Sequence, residues 1–408
     1  MRIIVQKFGG TSVASREGRQ RACSHVEEAR REGLCPVVVV SAMGRSGDPY
    51  ATDTLLSVAT AENPEVPPRD QDLLLSCGEI IAAVVLSGTL RARGVPAVPL
   101  TGAQAGIVTD GHHGDAAIVQ VRTQRLLEHL RRGEVPVVCG FQGVTEDGEV
   151  TTLGRGGSDT TAAALGGALR AEVVEIYTDV DGVKTADPRL VPDARTLPVT
   201  TYDEVAQMAH HGAKVIHPRA VEIAMQSNVP LRVRSTFSDS PGTLVTFSVE
   251  AAGTAVSPLR PMGAVTAVTH VSGLAQVAVE VEPGDPRGLE MLRHLADAGI
   301  SIDLINLYPD RKVFCIDERR APRARAVLTG LGLAPRVRTG LVKVSVVGAG
   351  MRGRPGVMAT IAEALAGAGV EILQTADSHV TISCLIQQED LERAVRALHR
   401  AFGLGSGN

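Results

Sequence analysis

The chain has 408 residues, 44% of them hydrophobic and 21% charged, too long for one ordinary core, so two or three domains are expected. A formal net charge of −4 argues against nucleic-acid or polybasic membrane partners, leaving positive charge for phosphates to particular loops. Six scattered cysteines form no C-x-x-C pair, no signal peptide precedes the first strand, and no apolar run approaches membrane-spanning length; a cytoplasmic chain is expected.

In chain order, Ile3–Phe8 reads as a buried strand that delivers Lys7 to a Gly9-Gly10-Thr11-Ser12 turn and a helix. This is not a P-loop, because the lysine precedes the glycines. A polar helix is expected at 16–32, then a strand at 36–41, apolar at nearly every position as in a parallel sheet covered on both faces. The loop 42–51 leads to Thr52. A long helix is expected at 69–93, where Glu79 is the one acid in the apolar stretch 73–86. A buried carboxylate needs a partner, and a structural arginine or a ligand cation serves equally well. His112-His113 lie in a turn without a third ligand and read as solvated. A strand at 95–100, a helix at 121–132 and a strand at 135–139 continue the α/β pattern.

The most informative stretch is 150–189. Leu153-Gly154-Arg155-Gly156-Gly157-Ser158-Asp159 opens directly into an alanine-rich helix, and a strand at 173–177 delivers the acidic turn Thr178-Asp179-Val180-Asp181-Gly182. Glycines let amides approach an anion, the helix N-terminus carries unpaired donors, and Arg155 adds a fork of donors. Such a loop suits a small zwitterionic acid beside a polyphosphate. Strands at 230–234 and 242–245 close the first domain.

Residues 248–263 are small, Pro-containing and aperiodic, and read as a linker. Beyond it the chain repeats itself: residues 291–302 correspond to 361–372, 70 positions later, each within a βαββαβ order with first strands at 275–281 and 342–347. Gly348-Ala349-Gly350-Met351-Arg352-Gly353 satisfies G-x-G-x-x-G. Too few residues follow for a dinucleotide fold, so it reads as the strand-to-helix turn of the second repeat.

The pairing of K-F-G-G-T-S-V (7–13) with L-G-R-G-G-S-D-T-T (153–161) resembles the aspartate kinases of the amino-acid kinase family, and the resemblance extends along essentially the whole chain. It implies an α/β amino-acid kinase fold over 1–247, a mostly parallel central sheet sandwiched by helices. Two α+β ferredoxin-like ACT domains would follow the linker, at 264–340 and 341–408. The implied reaction is phosphorylation of the L-aspartate side-chain carboxylate by ATP with Mg²⁺, the first step toward lysine (through diaminopimelate), threonine and methionine.

The resemblance places Lys7 on the transferring phosphate, with help from the Gly9, Gly10 and Gly157 amides, and Asp159 as its orienting partner. Arg155 takes the α-carboxylate and Glu79 the ammonium of aspartate, with Ser41, Thr52, Gly156, Gly157 and Ser158 completing the substrate site. Nucleotide contacts fall on Lys7, Phe8, Gly9, Gly10, Thr178, Asp179, Lys184, Thr185, Ala186, Asp187, Pro188, Arg189 and Lys214. Lys184 stands where the family often has tyrosine, and no protein ligand to the metal is assigned. Asp303, Asn306, Gln374 and Ser378 are implied effector contacts for diaminopimelate, lysine or threonine. The runs SAMGRSGDPYATD, QDLLLSCGE and GAQAG look closest to the diaminopimelate-sensitive Bacillus type. A homodimer or higher oligomer through ACT sheet edges is expected. Two other readings remain: a kinase of the same fold acting on acetylglutamate, glutamate or carbamate, and a non-catalytic amino-acid sensor.

Overall fold

A computed structural model describes residues 1–213, 215–247, 264–351 and 353–405. Lys214 and the expected linker 248–263 lie outside the described residues. The chain divides into two compact units. The first gathers Met1–Val183, Thr196–Ala209 and 215–247; the second gathers Lys184–Arg195, His210–Ala213 and 264–405.

An eight-stranded sheet organises the first unit, in the order Val199–Thr201, Thr243–Thr246, Leu231–Ser235, Val173–Thr178, Ile3–Phe8, Cys35–Val40, Val135–Cys139, Ala97–Leu100. The six strands from Leu231–Ser235 onward run parallel, and Thr243–Thr246 turns antiparallel. Val37, Val38, Val39 and Val40 are all fully buried, which is why that strand shows no alternation. Parallel register brings Phe8 beside Val40 and Tyr177, so the loops that follow these strands share one sheet edge, where open α/β sheets bind ligands. A small sheet of Ile118–Val121, Ile107–Thr109, Gln142–Val144 and Val150–Thr152 feeds the second glycine loop from its last strand.

The helix Pro68–Ala92 corrects the membrane reading on one point: its 25 residues are long and apolar enough to cross a bilayer. Here it packs Ala82, Ala83, Leu86 and Leu90 against Val38, Val40 and Val137 of the sheet. Pro68 starts it, where a missing N–H costs no helical bond. In the helix Gly157–Leu169, a Cβ on Gly166 would come within 2.2 Å of Val174 Cγ2, so the small residue sets how closely helix and sheet approach.

In the second unit the repeats share one antiparallel six-stranded sheet, ordered Asp303–Leu307, Arg311–Asp317, Ala267–Glu280, Pro335–Val347, Thr381–Gln387, Gln374–Asp377. The expected first strands at 275–281 and 342–347 are the halves of two much longer ones. Residues 267–272 pair with 342–347, while 274–280 pair with 311–317 of their own repeat. The expected boundary at 340/341 therefore falls inside the strand Pro335–Val347. Register shifts between Ser272 and Gln276, around Gly273 at φ +75°, break the alternation that marks a long strand in sequence. Each repeat has its own core, one around Val277, Met291 and Phe314 and one around Val344, Ile361 and Leu398. In the G-x-G-x-x-G stretch, Arg352 lies outside the described residues; Ala349–Met351 form a single 3-10 turn after the strand, Met351 is buried in the second core, and a Cβ on Gly348 would lie 2.2 Å from Ala264 O.

Candidate active site

A cavity of about 590 Å³ lies in the first unit, beside the end of the strand carrying Lys7 and the start of the loop that follows Cys35–Val40 at Ser41. Lys7, Gly10, Ser41, Thr52, Glu79, Arg155, Gly156, Gly157, Ser158 and Asp159 all line it, so residues spread over 150 positions meet in one place.

Lys7 Nζ forms an ion pair with Asp159 Oδ1 at 2.7 Å, and both side chains are mostly buried. The pair joins the first strand to the first turn of the helix Gly157–Leu169 and holds the ammonium at the cavity wall. The expected amide cradle needs correction. Gly9 N donates to Tyr177 O at 3.2 Å and Gly157 N to Gly154 O at 3.1 Å, so neither is free. The amides of Gly10, Thr11, Ser158 and Asp159 have no partner among the described residues and are the donors that two helix N-termini present.

Glu79 is 2% exposed and has no arginine partner among the described residues. Its Oε1 accepts from Ala42 N at 3.0 Å, and its Oε2 is buried with no partner among the described residues. Burial pushes this carboxyl up to about 8, only partly offset by the Ala42 amide. A carboxylate in this position lacks a cation. Arg155 is exposed at the cavity rim and makes no side-chain hydrogen bond or ion pair with another described residue. The site thus offers an incomplete acid and an uncommitted guanidinium.

Backbone geometry explains the glycines between them. Gly156 sits at φ 69°, and a Cβ there would meet His217 Cγ at 2.1 Å; one on Gly10 would meet Ala42 O at 2.6 Å.

The expected nucleotide contacts divide. Phe8 is corrected: its ring is fully buried and stacks on Tyr177 at 4.7 Å, so the side chain faces the core. Thr178 ends the strand paired with the one that carries Lys7, Asp179 follows it, and Asp179 Oδ2 is held by Arg45 Nη2 at 2.7 Å. Lys184–Arg195 belongs to the second unit. There Thr185 is fully buried, its hydroxyl 3.0 Å from His399 Nε2, and Ala186 packs in the second core. Those two side chains are structural, a correction to their expected part. Asp187 and Arg189 pair at 2.7 Å across Pro188, which holds the Asp187 carboxyl below its ordinary range. Lys184 is held by an interaction of its own.

Sequence reasoning missed Asp72. It is fully buried, lines the same cavity, and accepts from His113 Nδ1 at 2.7 Å, Gly114 N at 3.1 Å and Thr152 Oγ1 at 2.5 Å. The solvated reading of His112-His113 holds for His112, 83% exposed as a side chain, but not for His113. The available signal was spacing: Asp72 precedes Glu79 by seven residues, two turns on one helix face.

In the second unit, three of the four expected effector residues hold strand partners together. Gln374 Nε2 donates to Asn306 Oδ1 at 2.6 Å and to Leu304 O, and Gln276 Nε2 donates to Gln374 Oε1 at 2.8 Å, at the wall of a cavity of about 630 Å³. Asp303 pairs with buried Lys343. Ser378 instead closes its own turn through Thr381.

Comparison with known proteins agrees with this geometry. Residues 2–235 match the amino acid kinase family and residues 336–400 an ACT domain. Aspartokinase 1 of Bacillus subtilis (strain 168) is 49% identical over 405 residues, covering 99% of this chain and 100% of that protein. Two crystal structures of E. coli aspartokinase III are similar at 26% identity, each covering 98% of this chain and 99% of that one. They are its complex with aspartate and ADP (R-state), TM-score 0.78, and its complex with lysine and aspartate (T-state), TM-score 0.75. The chain belongs to the amino acid kinase family, and within it to the aspartokinases.

Proposed function

We propose that this chain transfers the terminal phosphoryl group of ATP to the side-chain carboxylate of L-aspartate, giving ADP and 4-phospho-L-aspartate. The observation that carries the reading is the buried, unpartnered Glu79 oxygen in the cavity that also holds Lys7 and Arg155. An α-ammonium completes Glu79 and an α-carboxylate takes the Arg155 fork, which leaves the second carboxylate of the acid as nucleophile. That carboxylate is ionised at neutral pH, so the chemistry requires no general base. Its oxygen forms the new bond to phosphorus while the bond to the ADP oxygen breaks. Lys7, held by Asp159, offsets negative charge on the transferring group, and the open amides of the two helix starts take phosphate oxygens. Among the described residues no three His, Cys, Asp or Glu side chains gather to hold a metal. Asp159, the carboxylate beside Lys7, is the residue that would help to hold a Mg²⁺ entering with the nucleotide. When bound, Mg²⁺ supplies charge screening across those phosphates.

The test is ADP release measured separately with aspartate, acetylglutamate, glutamate and carbamate. Stimulation by aspartate alone is expected; stimulation by another acceptor, or by none, overturns the reading.

The same reading places the enzyme at the cytoplasmic entry to lysine, threonine and methionine synthesis, as a homodimer or higher oligomer. Diaminopimelate, lysine or threonine would act at the polar cavity that Asn306 and Gln374 line. A thermal-shift panel of these amino acids, with and without Mg-ATP, identifies the effector, and light scattering gives the oligomer.

A further inference from the structure

We propose that Asp72 is a positioning residue that sets the spacing between the two ends of the aspartate site; the inference rests on the roles of Glu79 and Arg155 proposed above. The Asp72 carboxylate is fully buried, and both of its oxygens are engaged by donors from the chain: His113 Nδ1, Gly114 N and the Thr152 hydroxyl. It has no lysine or arginine partner among the described residues. A buried acid committed in this way has no oxygen left for a ligand, although it lines the cavity.

What it joins gives it a role. Pro68, Gln71, Asp72, Leu75 and Glu79 line the cavity at helical spacing, so one face of the helix Pro68–Ala92 forms a wall. Asp72 and Glu79 lie two turns apart on that wall, about 10 Å along the axis. Thr152 ends the strand Val150–Thr152, three residues before Arg155. Gly114 belongs to a third stretch that lines the same cavity. One buried node therefore ties the helix that carries the ammonium acceptor to the strand that feeds the carboxylate-binding arginine. A rigid ligand bound at both ends is sensitive to shifts of about an ångström in their separation. Among the described residues no hydrogen bond or ion pair joins the node to Lys7, which pairs with Asp159, so loosening the node weakens aspartate binding and leaves the nucleotide end alone.

The experiment is steady-state kinetics on the full chain. Asp72→Asn keeps the volume but turns one acceptor into a donor that faces donors. Its KM for aspartate is expected to rise at least tenfold, with kcat and KM for ATP within about threefold. Thr152→Val should shift KM for aspartate in the same direction and Thr152→Ser should restore it. The Asp72→Asn/Thr152→Val double variant should be little worse than Asp72→Asn alone, because both remove one interaction. An unchanged KM for aspartate in both single variants overturns the inference, as does a parallel loss of kcat and both KM values. If Asp72→Asn fails to fold, the contrast between Thr152→Val and Thr152→Ser decides on the same criteria. Glu79→Gln and Arg155→Lys separate the two levels. If they raise KM for aspartate while the node variants do not, only the spacing role fails; if they do not, the site reading fails with it.

Discussion

The cavity of the first unit and the cavity of the second treat buried polar groups in opposite ways. Around Glu79 the chain leaves an acid with one backbone donor and an empty oxygen, and it leaves Arg155 uncommitted at the rim. Around Gln374 the amide is used at both ends, by Gln276 on one side and by Asn306 and Leu304 on the other. An unmet buried acid costs stability, and a chain keeps one where a ligand completes it. A satisfied network instead fixes the strands that contribute to it. A ligand entering the first cavity adds bonds; one entering the second exchanges them, which suits a site where binding alters an arrangement.

The sharpest break would come at Lys7. Lys7→Ala is expected to lower kcat by about 10³ or more, by removing the cation next to the transferring group. A melting temperature within a few degrees of wild type, read by circular dichroism, shows that the fold survives. Near-normal turnover would remove the chemical half of the comparison.

Glu79→Gln should raise KM for aspartate by about 50-fold, in line with a charged hydrogen bond of roughly 2–3 kcal/mol. Its pH behaviour is more telling. Burial raises the folded-state value from 4.5 to about 8, so between these values the folded chain holds a proton that the unfolded chain has lost. That contribution to stability is complete below about pH 4.5 and disappears as pH rises through 8. Ligand-free melting curves of wild type against Glu79→Gln isolate this slope. Since an ammonium favours the ionised acid, aspartate binding at pH 7 should release close to one proton, measurable by calorimetry in buffers of different ionisation enthalpy.

A smaller effect is expected at the rim. Arg155→Lys keeps the charge but loses the fork, and KM for aspartate should rise about tenfold with kcat little changed. Gln374→Ala should have the smallest effect on catalysis: a loss of about 1–3 kcal/mol in stability as its partners are stranded, with KM for aspartate within twofold when no effector is present. A large change in that KM would erase the contrast between the two cavities.

Much of this site is legible along the chain because its requirements are local. A lysine at a strand end, glycines where a Cβ would strike neighbouring atoms, and a lone acid in the apolar stretch 73–86 each announce themselves within a few residues. Asp72 is harder to read, since its donors come from positions 113, 114 and 152. Phe8 and the Gly9 amide lie next to visible site residues, yet Tyr177, 168 or more positions away, takes both of them.

The sequence by itself determined the alternation of strands and helices, the two glycine loops and the repeat in the C-terminal part, because periodicity and backbone freedom belong to short segments. Only the tertiary structure decided that 184–195 packs with the C-terminal repeats, that those repeats share strands, and which amides stay open for a ligand. Those outcomes depend on partners far apart in the chain, and a hydrogen bond or a buried face is assigned only when both sides have been brought together.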